Sequence, residues 1–177
     1  MPNLRKFMQS FLILLIMAFI LSISKIVALY TDYLWFSALG FSKIFTVSLT
    51  SKLILFFVAA LFFFLFAAIN LKIASRIQSS KLPFKISVLI IVLLSVFQGL
   101  SASNAWLLFL QYINRVSFNL QDPILGKDVA FYVFSLPFFL FLWKFLFVTV
   151  MVTGAIVVLY YLQQFITSVL TPQVDPN

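Results

Sequence analysis

Between Lys52 and Lys72 the chain runs nineteen residues, Leu53 to Leu71, without a charge. The hydrocarbon core of a bilayer is about 30 Å thick, and a helix needs about twenty apolar residues to cross it. A similar run, Phe7 to Ser24, follows Arg5 and Lys6; Lys25 can snorkel, which extends that span to Leu29. The basic start also fits a signal peptide, whose apolar region is only about 7–15 residues long. The longer run and the poor cleavage site at Ile26-Val27-Ala28 favour an uncleaved anchor. A third run has its core at 86–110, after Lys81 and Lys85. A fourth covers 137–162: Pro137 suits the first turn of a helix, and only Lys144 interrupts the apolar stretch.

Backbone polar groups must be satisfied internally in lipid, so spans are helices or closed barrels. Barrel strands alternate polar and apolar residues, and Leu61-Phe62-Phe63-Phe64-Leu65-Phe66 does not. The expected fold is therefore all-α: a polytopic membrane helix bundle of about four transmembrane helices, spans 7–29, 53–71, 86–110 and 137–162, forming a single transmembrane domain over 1–177. Short interfacial helices are expected in the outer loops.

Composition closes off other classes. Hydrophobic residues make up 64% and charged residues 9%, too few charges to solvate a soluble domain of this size. The net charge of +8 does not signal nucleic acid, because the basic residues sit at the ends of apolar runs rather than on one aromatic-bearing polar face. Without cysteine, histidine or glutamate the chain lacks the means for a thiolate, a zinc site or a serine–histidine triad. No cofactor is expected, and no enzyme. Membrane lipids and other membrane subunits are the expected partners.

Lysine and arginine set orientation through short loops. The segment with Lys72, Arg76, Lys81 and Lys85 carries no acid, while the loop at 111–136 balances Arg115 and Lys127 against Asp122 and Asp128. The first is expected inside and the second outside, which places both termini in the cytoplasm of a multi-pass cell-membrane protein. Tyr30, Tyr33, Trp35, Trp106, Tyr112, Tyr132 and Trp143 fall near the outer interface on this reading, and Tyr160 and Tyr161 near the inner one. The tail 171–177, with two prolines, reads as a short disordered end.

Span three carries Ser95, Gly99 and Ser103 at four-residue spacing. Small residues on one face let another backbone approach closely, the usual basis of helix association in membranes. Gln98 and Asn104 suit interhelical hydrogen bonds, or line a polar path. No acid lies inside any span, which argues against proton-coupled transport.

The outer loop is the least generic segment. Asp122-Pro123 starts a turn, Gly126 permits a backbone angle other residues avoid, and Asp128 caps a short helix beginning near Val129. Phe131, Tyr132 and Phe134 would then settle at the interface. A divalent cation between the two aspartates is the alternative, though two carboxylates fall short of the 6–8 oxygens calcium takes. Asp32, Tyr33, Trp35 and Phe36 likewise form an expected interfacial turn or short helix on the membrane surface, or a partner contact.

Two stretches resemble one known family: Asp32-Tyr33-Leu34-Trp35-Phe36 followed by Leu39-Gly40-Phe41-Ser42, and Asp122-Pro123-Ile124-Leu125-Gly126-Lys127-Asp128-Val129-Ala130-Phe131-Tyr132-Val133-Phe134-Ser135-Leu136-Pro137. Together they look like the N-terminal part of uncharacterised protein family 0182, large prokaryotic membrane proteins. The resemblance implies further spans and a large extracytoplasmic domain, with this chain a truncated member, a split product or an incomplete sequence. It implies no activity and assigns no catalytic or binding residue. An integral membrane subunit or scaffold, or part of a transporter or lipid-handling assembly, is the expected role.

Overall fold

A computed structural model describes residues 2–77 and 84–170 and, among their side chains, those of residues 12, 17, 19, 23–76 and 86–162. The expected disordered tail and the side chains of Arg5, Lys6, Lys81 and Lys85 fall outside these limits. The described elements are helices: α1 (Pro2–Ala38), α2 (Ser42–Ile77), α3 (Phe84–Ser103), the short α4 (Trp106–Ile113), a π-helical turn (Phe131–Ser135) and α5 (Leu136–Leu170). Three stretches are long and apolar enough to cross a membrane, Ser42–Arg76, Ile86–Ser103 and Phe131–Leu162. The first expected span lies within α1, where many side chains fall outside the described set.

The chain divides into two compact units, Met1–Leu49 and Thr50–Asn177. In the first, α1 does not stop at Lys25 or Leu29. It continues to Ala38 because neither proline nor glycine occurs between Lys25 and Ala38. Asp32, Tyr33, Trp35 and Phe36 are thus the last turns of a long helix rather than a separate surface helix, which corrects the expectation. Gly40, at φ +78°, ends it. The Phe41 amide donates to Phe36 O at 2.8 Å and the Gly40 amide to Ser37 O at 3.0 Å, the paired bonds of a Schellman cap. Glycine is required there because an L side chain resists a positive φ. The ring of Phe45 on α2 then packs near Tyr33 (centroids 5.7 Å) and Phe36 (5.9 Å).

In the second unit, α2, α3 and α5 share an interior. Phe63, Ala67, Leu71 and Ala74 of α2, Ile91 of α3 and Tyr160 of α5 form its core. Half of these α2 residues are alanines, and Ser87 and Ser95 are also buried. Small side chains bring the backbones close, and close packing rather than the hydrophobic effect holds helices together in lipid. Outward, Phe57, Val58, Phe97, Leu93, Leu159 and Met151 are exposed, as suits helices solvated by hydrocarbon. Tyr160, read as interfacial, is buried in the core.

The expected third span, 86–110, is broken. α3 stops at Ser103, and the amides of Asn104 and Ala105 turn back to Ser101 O (3.3 Å) and Ala102 O (3.0 Å). These are the tighter bonds of a 3₁₀ turn, after which α4 restarts with the Phe109 amide on Ala105 O. Pro137 lies in the first turn of α5, and the π-helical turn Phe131–Ser135 runs directly into that turn. The widened π turn just before it carries the Leu136 amide to Phe131 O.

Candidate functional site

The site with the densest polar contacts is the loop between α4 and α5. Pro123 presets the turn angle, and the Asp122 carboxylate accepts the Leu125 amide at 2.9 Å. Gly126, at φ +62°, carries the chain round. Its amide donates to Asp122 O at 2.9 Å, and the Asp122 amide donates to Lys127 O at 2.8 Å. A single antiparallel bridge, Gln121 to Asp128, closes the loop, reinforced by the Val129 amide on Leu120 O (2.9 Å).

Asp128 is the hub. One carboxylate oxygen takes the Ala130 amide at 2.7 Å, capping the helical turn that begins at Val129. The same carboxylate accepts the Ser117 hydroxyl and the amides of Phe118 (3.2 Å) and Asn119 (3.0 Å). Asn119 sits at φ +54°, a left-handed angle that asparagine tolerates better than most residues. Tyr132 donates its hydroxyl to the Asp122 carboxylate at 3.0 Å, and Phe134 meets Phe118 edge-on at 5.7 Å. The aromatics expected at an interface therefore also stitch the loop to the start of α5. Phe131 lines a cleft of about 350 Å³ beside Arg115, Ser117 and Asp128.

Both carboxylates titrate below the ordinary range. For Asp122 the main cause is the Leu125 amide, with Tyr132 adding to it. For Asp128 it is the Ser117 hydroxyl, then the Ala130 amide. A depressed carboxylate contributes stability above its unfolded pKa of about 3.9, and that contribution is lost as pH falls through the folded value. The loop is therefore expected to be ordered at neutral pH and to loosen only below about pH 4. A carbon-13 carboxyl titration checks this; either aspartate titrating at or above the value of a blocked aspartate peptide would contradict it.

The two carboxylates serve different donors, and among the described residues no group of three or more acidic, histidine or cysteine side chains could hold a metal ion. Above the loop, Arg115 stacks its guanidinium 4.5 Å from the Tyr112 ring centroid and donates to Tyr112 O at 2.8 Å. Lys52 of α2 lies 5.2 Å from the Trp106 ring centroid.

The small residues of α3 are placed unequally. A Cβ on Gly99 would lie 2.8 Å from Phe56 O and 3.0 Å from Ala60 Cβ, so this glycine is where α2 crosses within the same chain. Ser95 is buried and Ser103 half-buried, and each hydroxyl donates to its own helix, at Val92 O and Leu100 O. Asn104 is exposed in the turn. Gln98 is buried with its amide nitrogen unpartnered, as are the hydroxyls of Thr149 and Thr153 on α5. Sequence reasoning passed over these two threonines, and also Ser117 and Asn119; serine and asparagine before a turn were the available signal for the latter pair.

Residues 9–175 match the family described as Uncharacterised protein family (UPF0182). A UPF0182 protein of Geotalea uraniireducens is 32% identical over 182 aligned positions, covering 88% of this chain and 20% of the relative. One from Geobacter sulfurreducens is 31% identical, covering 75% and 17%, and one from Methanospirillum hungatei 28%, covering 78% and 16%. The chain thus spans a fifth or less of the length of these relatives. No solved structure matches it. Matched along nearly all of its length, with the loop motif folded into one hydrogen-bonded unit, the chain belongs to the uncharacterised protein family UPF0182.

Proposed function

We propose that this chain is a non-enzymatic subunit or scaffold of a prokaryotic cell membrane, multi-pass, with both termini in the cytoplasm and the 111–136 loop outside. The observation that carries the reading is the fate of the loop carboxylates. Asp122 and Asp128 are taken up by the loop's own amides and hydroxyls, and depressed titration keeps them as acceptors rather than proton donors. A general acid or base needs a pKa near the working pH. The loop groups are thus arranged for rigidity, and the apolar outer faces of α2, α3 and α5 are suited to lipid or to further spans.

A second reading, part of a transporter or lipid-handling assembly, draws support from Gln98, Thr149 and Thr153, since polar groups without partners inside a bundle can line a path. Single cysteines separate the two, and the native chain has none. Under the scaffold reading, cysteines at Gln98, Thr149 and Thr153 stay unlabelled by a membrane-impermeant thiol reagent applied to purified protein, while one at exposed Val116 reacts. Labelling at all three interior positions would replace the scaffold with a water-filled path.

A further inference from the structure

The second unit has an apolar groove of about 280 Å³ in its membrane-spanning part, with no polar atom in its lining. Val58 and Ala59 of α2, Ala102 of α3, Phe109 of α4, and Phe138 and Phe145 of α5 form its walls. Its α5 wall runs from Phe138 to Leu146, about 12 Å at the rise of a helix. Two cations flank the end where α4 crosses. Lys52 lies on Trp106, one helical turn before Phe109. Arg115 lies on Tyr112, whose ring stacks on groove-wall Phe138 at 4.4 Å. Neither joins an ion pair among the described residues; each rests on an aromatic face instead.

An apolar slot in the hydrocarbon region, with two cations at one end of it, is complementary to one kind of molecule. We propose that the groove holds an acyl chain of an anionic phospholipid, with its phosphate headgroup against Lys52 and Arg115. The apolar walls take the chain by contact area and exclude any polar ligand. The cations select the headgroup, since an unpaired guanidinium and ammonium near the membrane surface attract anionic lipid. Aromatic faces hold both cations at that depth without neutralising them. The inference rests only on the membrane-spanning character of α2, α3 and α5 and stands whether the chain serves as scaffold or path.

Native mass spectrometry of the full chain in mild detergent tests it, with phosphatidylglycerol and phosphatidylcholine of identical acyl chains as probes. Phosphatidylglycerol is expected to be retained preferentially. Lys52→Gln lowers its retention about fivefold, the effect of one cation near a membrane surface, and leaves phosphatidylcholine unchanged. Val58→Trp and Leu146→Trp, at exposed positions on opposite walls, fill the slot and abolish retention of both lipids without loss of helix by circular dichroism. Equal retention of the two lipids, or full retention in both tryptophan variants, overturns the proposal. Retention of neither lipid by the unaltered chain overturns it as well, and points to an apolar helix as the occupant.

Discussion

Gly99→Leu drives α2 and α3 apart. A Cβ at this position meets Phe56 Cδ2 and Phe56 O at 2.8 Å and Ala60 Cβ at 3.0 Å. The phenyl ring can rotate away, but the carbonyl oxygen belongs to the α2 backbone and moves only if the helix moves. Leucine adds three further carbons to that clash. Over-packing a tight contact costs about 1–3 kcal/mol, and the upper end is expected here because the obstacle is backbone. In lipid nothing offsets the loss, since apolar surface uncovered at the helix interface is solvated as well by lipid tails as by protein. An unfolding titration in detergent should therefore show Gly99→Leu destabilised by about 3 kcal/mol. Gly154→Leu is the control: it makes the same chemical change on α5, where an added Cβ meets nothing within 4 Å. There the gain in helix propensity makes the change neutral or stabilising by up to about 1 kcal/mol. Equal shifts in the two variants would mean that close approach at Gly99 does not hold the helices together.

The four-residue spacing of Ser95, Gly99 and Ser103 was visible in the sequence, and so was its meaning as a packing face. Its occupant was not, because spacing says that a backbone approaches without saying whose. The same division runs through the molecule. Uncharged runs located the apolar helices, since hydropathy is summed along the chain and needs no knowledge of neighbours. Pro137, Gly126 and the turn at Asp122-Pro123 were legible because proline and glycine act on their own backbone angles. Two boundaries were not. α1 runs through Asp32 to Phe36 because aromatic, amphipathic composition marks a depth in the membrane but breaks no helix. α3 ends at Ser103 because a switch to tighter hydrogen bonds leaves no trace in an uncharged stretch. The site was half legible. The local cap from Asp128 to Ala130 follows from sequence order, whereas the reach of Asp128 back to Ser117, Phe118 and Asn119 depends on the loop having already closed. The cations on Trp106 and Tyr112 are likewise products of assembly.

That dependence makes Asp128 the residue whose loss should open the whole loop. Its carboxylate gathers one hydroxyl and three amides from the two arms of the loop, Ser117 to Asn119 on one side and Ala130 on the other. No other described side chain links those arms through as many bonds, and Asn119, at a positive φ, shares its amide between this carboxylate and the Ser117 hydroxyl. In Asp128→Ala, the Asn119 amide keeps only the Ser117 hydroxyl, the Val129 turn loses its cap, and the bridge to Gln121 loses its side-chain support. Amides that do not touch Asp128 report the outcome without bias: Asp122 on Lys127 O and Val129 on Leu120 O. Their hydrogen exchange at neutral pH is expected to rise at least about tenfold, together rather than singly, as for one cooperative opening. Asp128→Asn keeps an oxygen acceptor but not the charge and should fall between the two. Asp122→Ala, which removes the carboxylate's bonds to the Leu125 amide and the Tyr132 hydroxyl and reaches neither Ser117 nor Asn119, should free the Asp122–Lys127 end more than the Asn119 end. Unchanged exchange at both reporter amides in Asp128→Ala would show that the backbone bridge carries the loop by itself, and would remove the carboxylate network as the reason this segment is rigid.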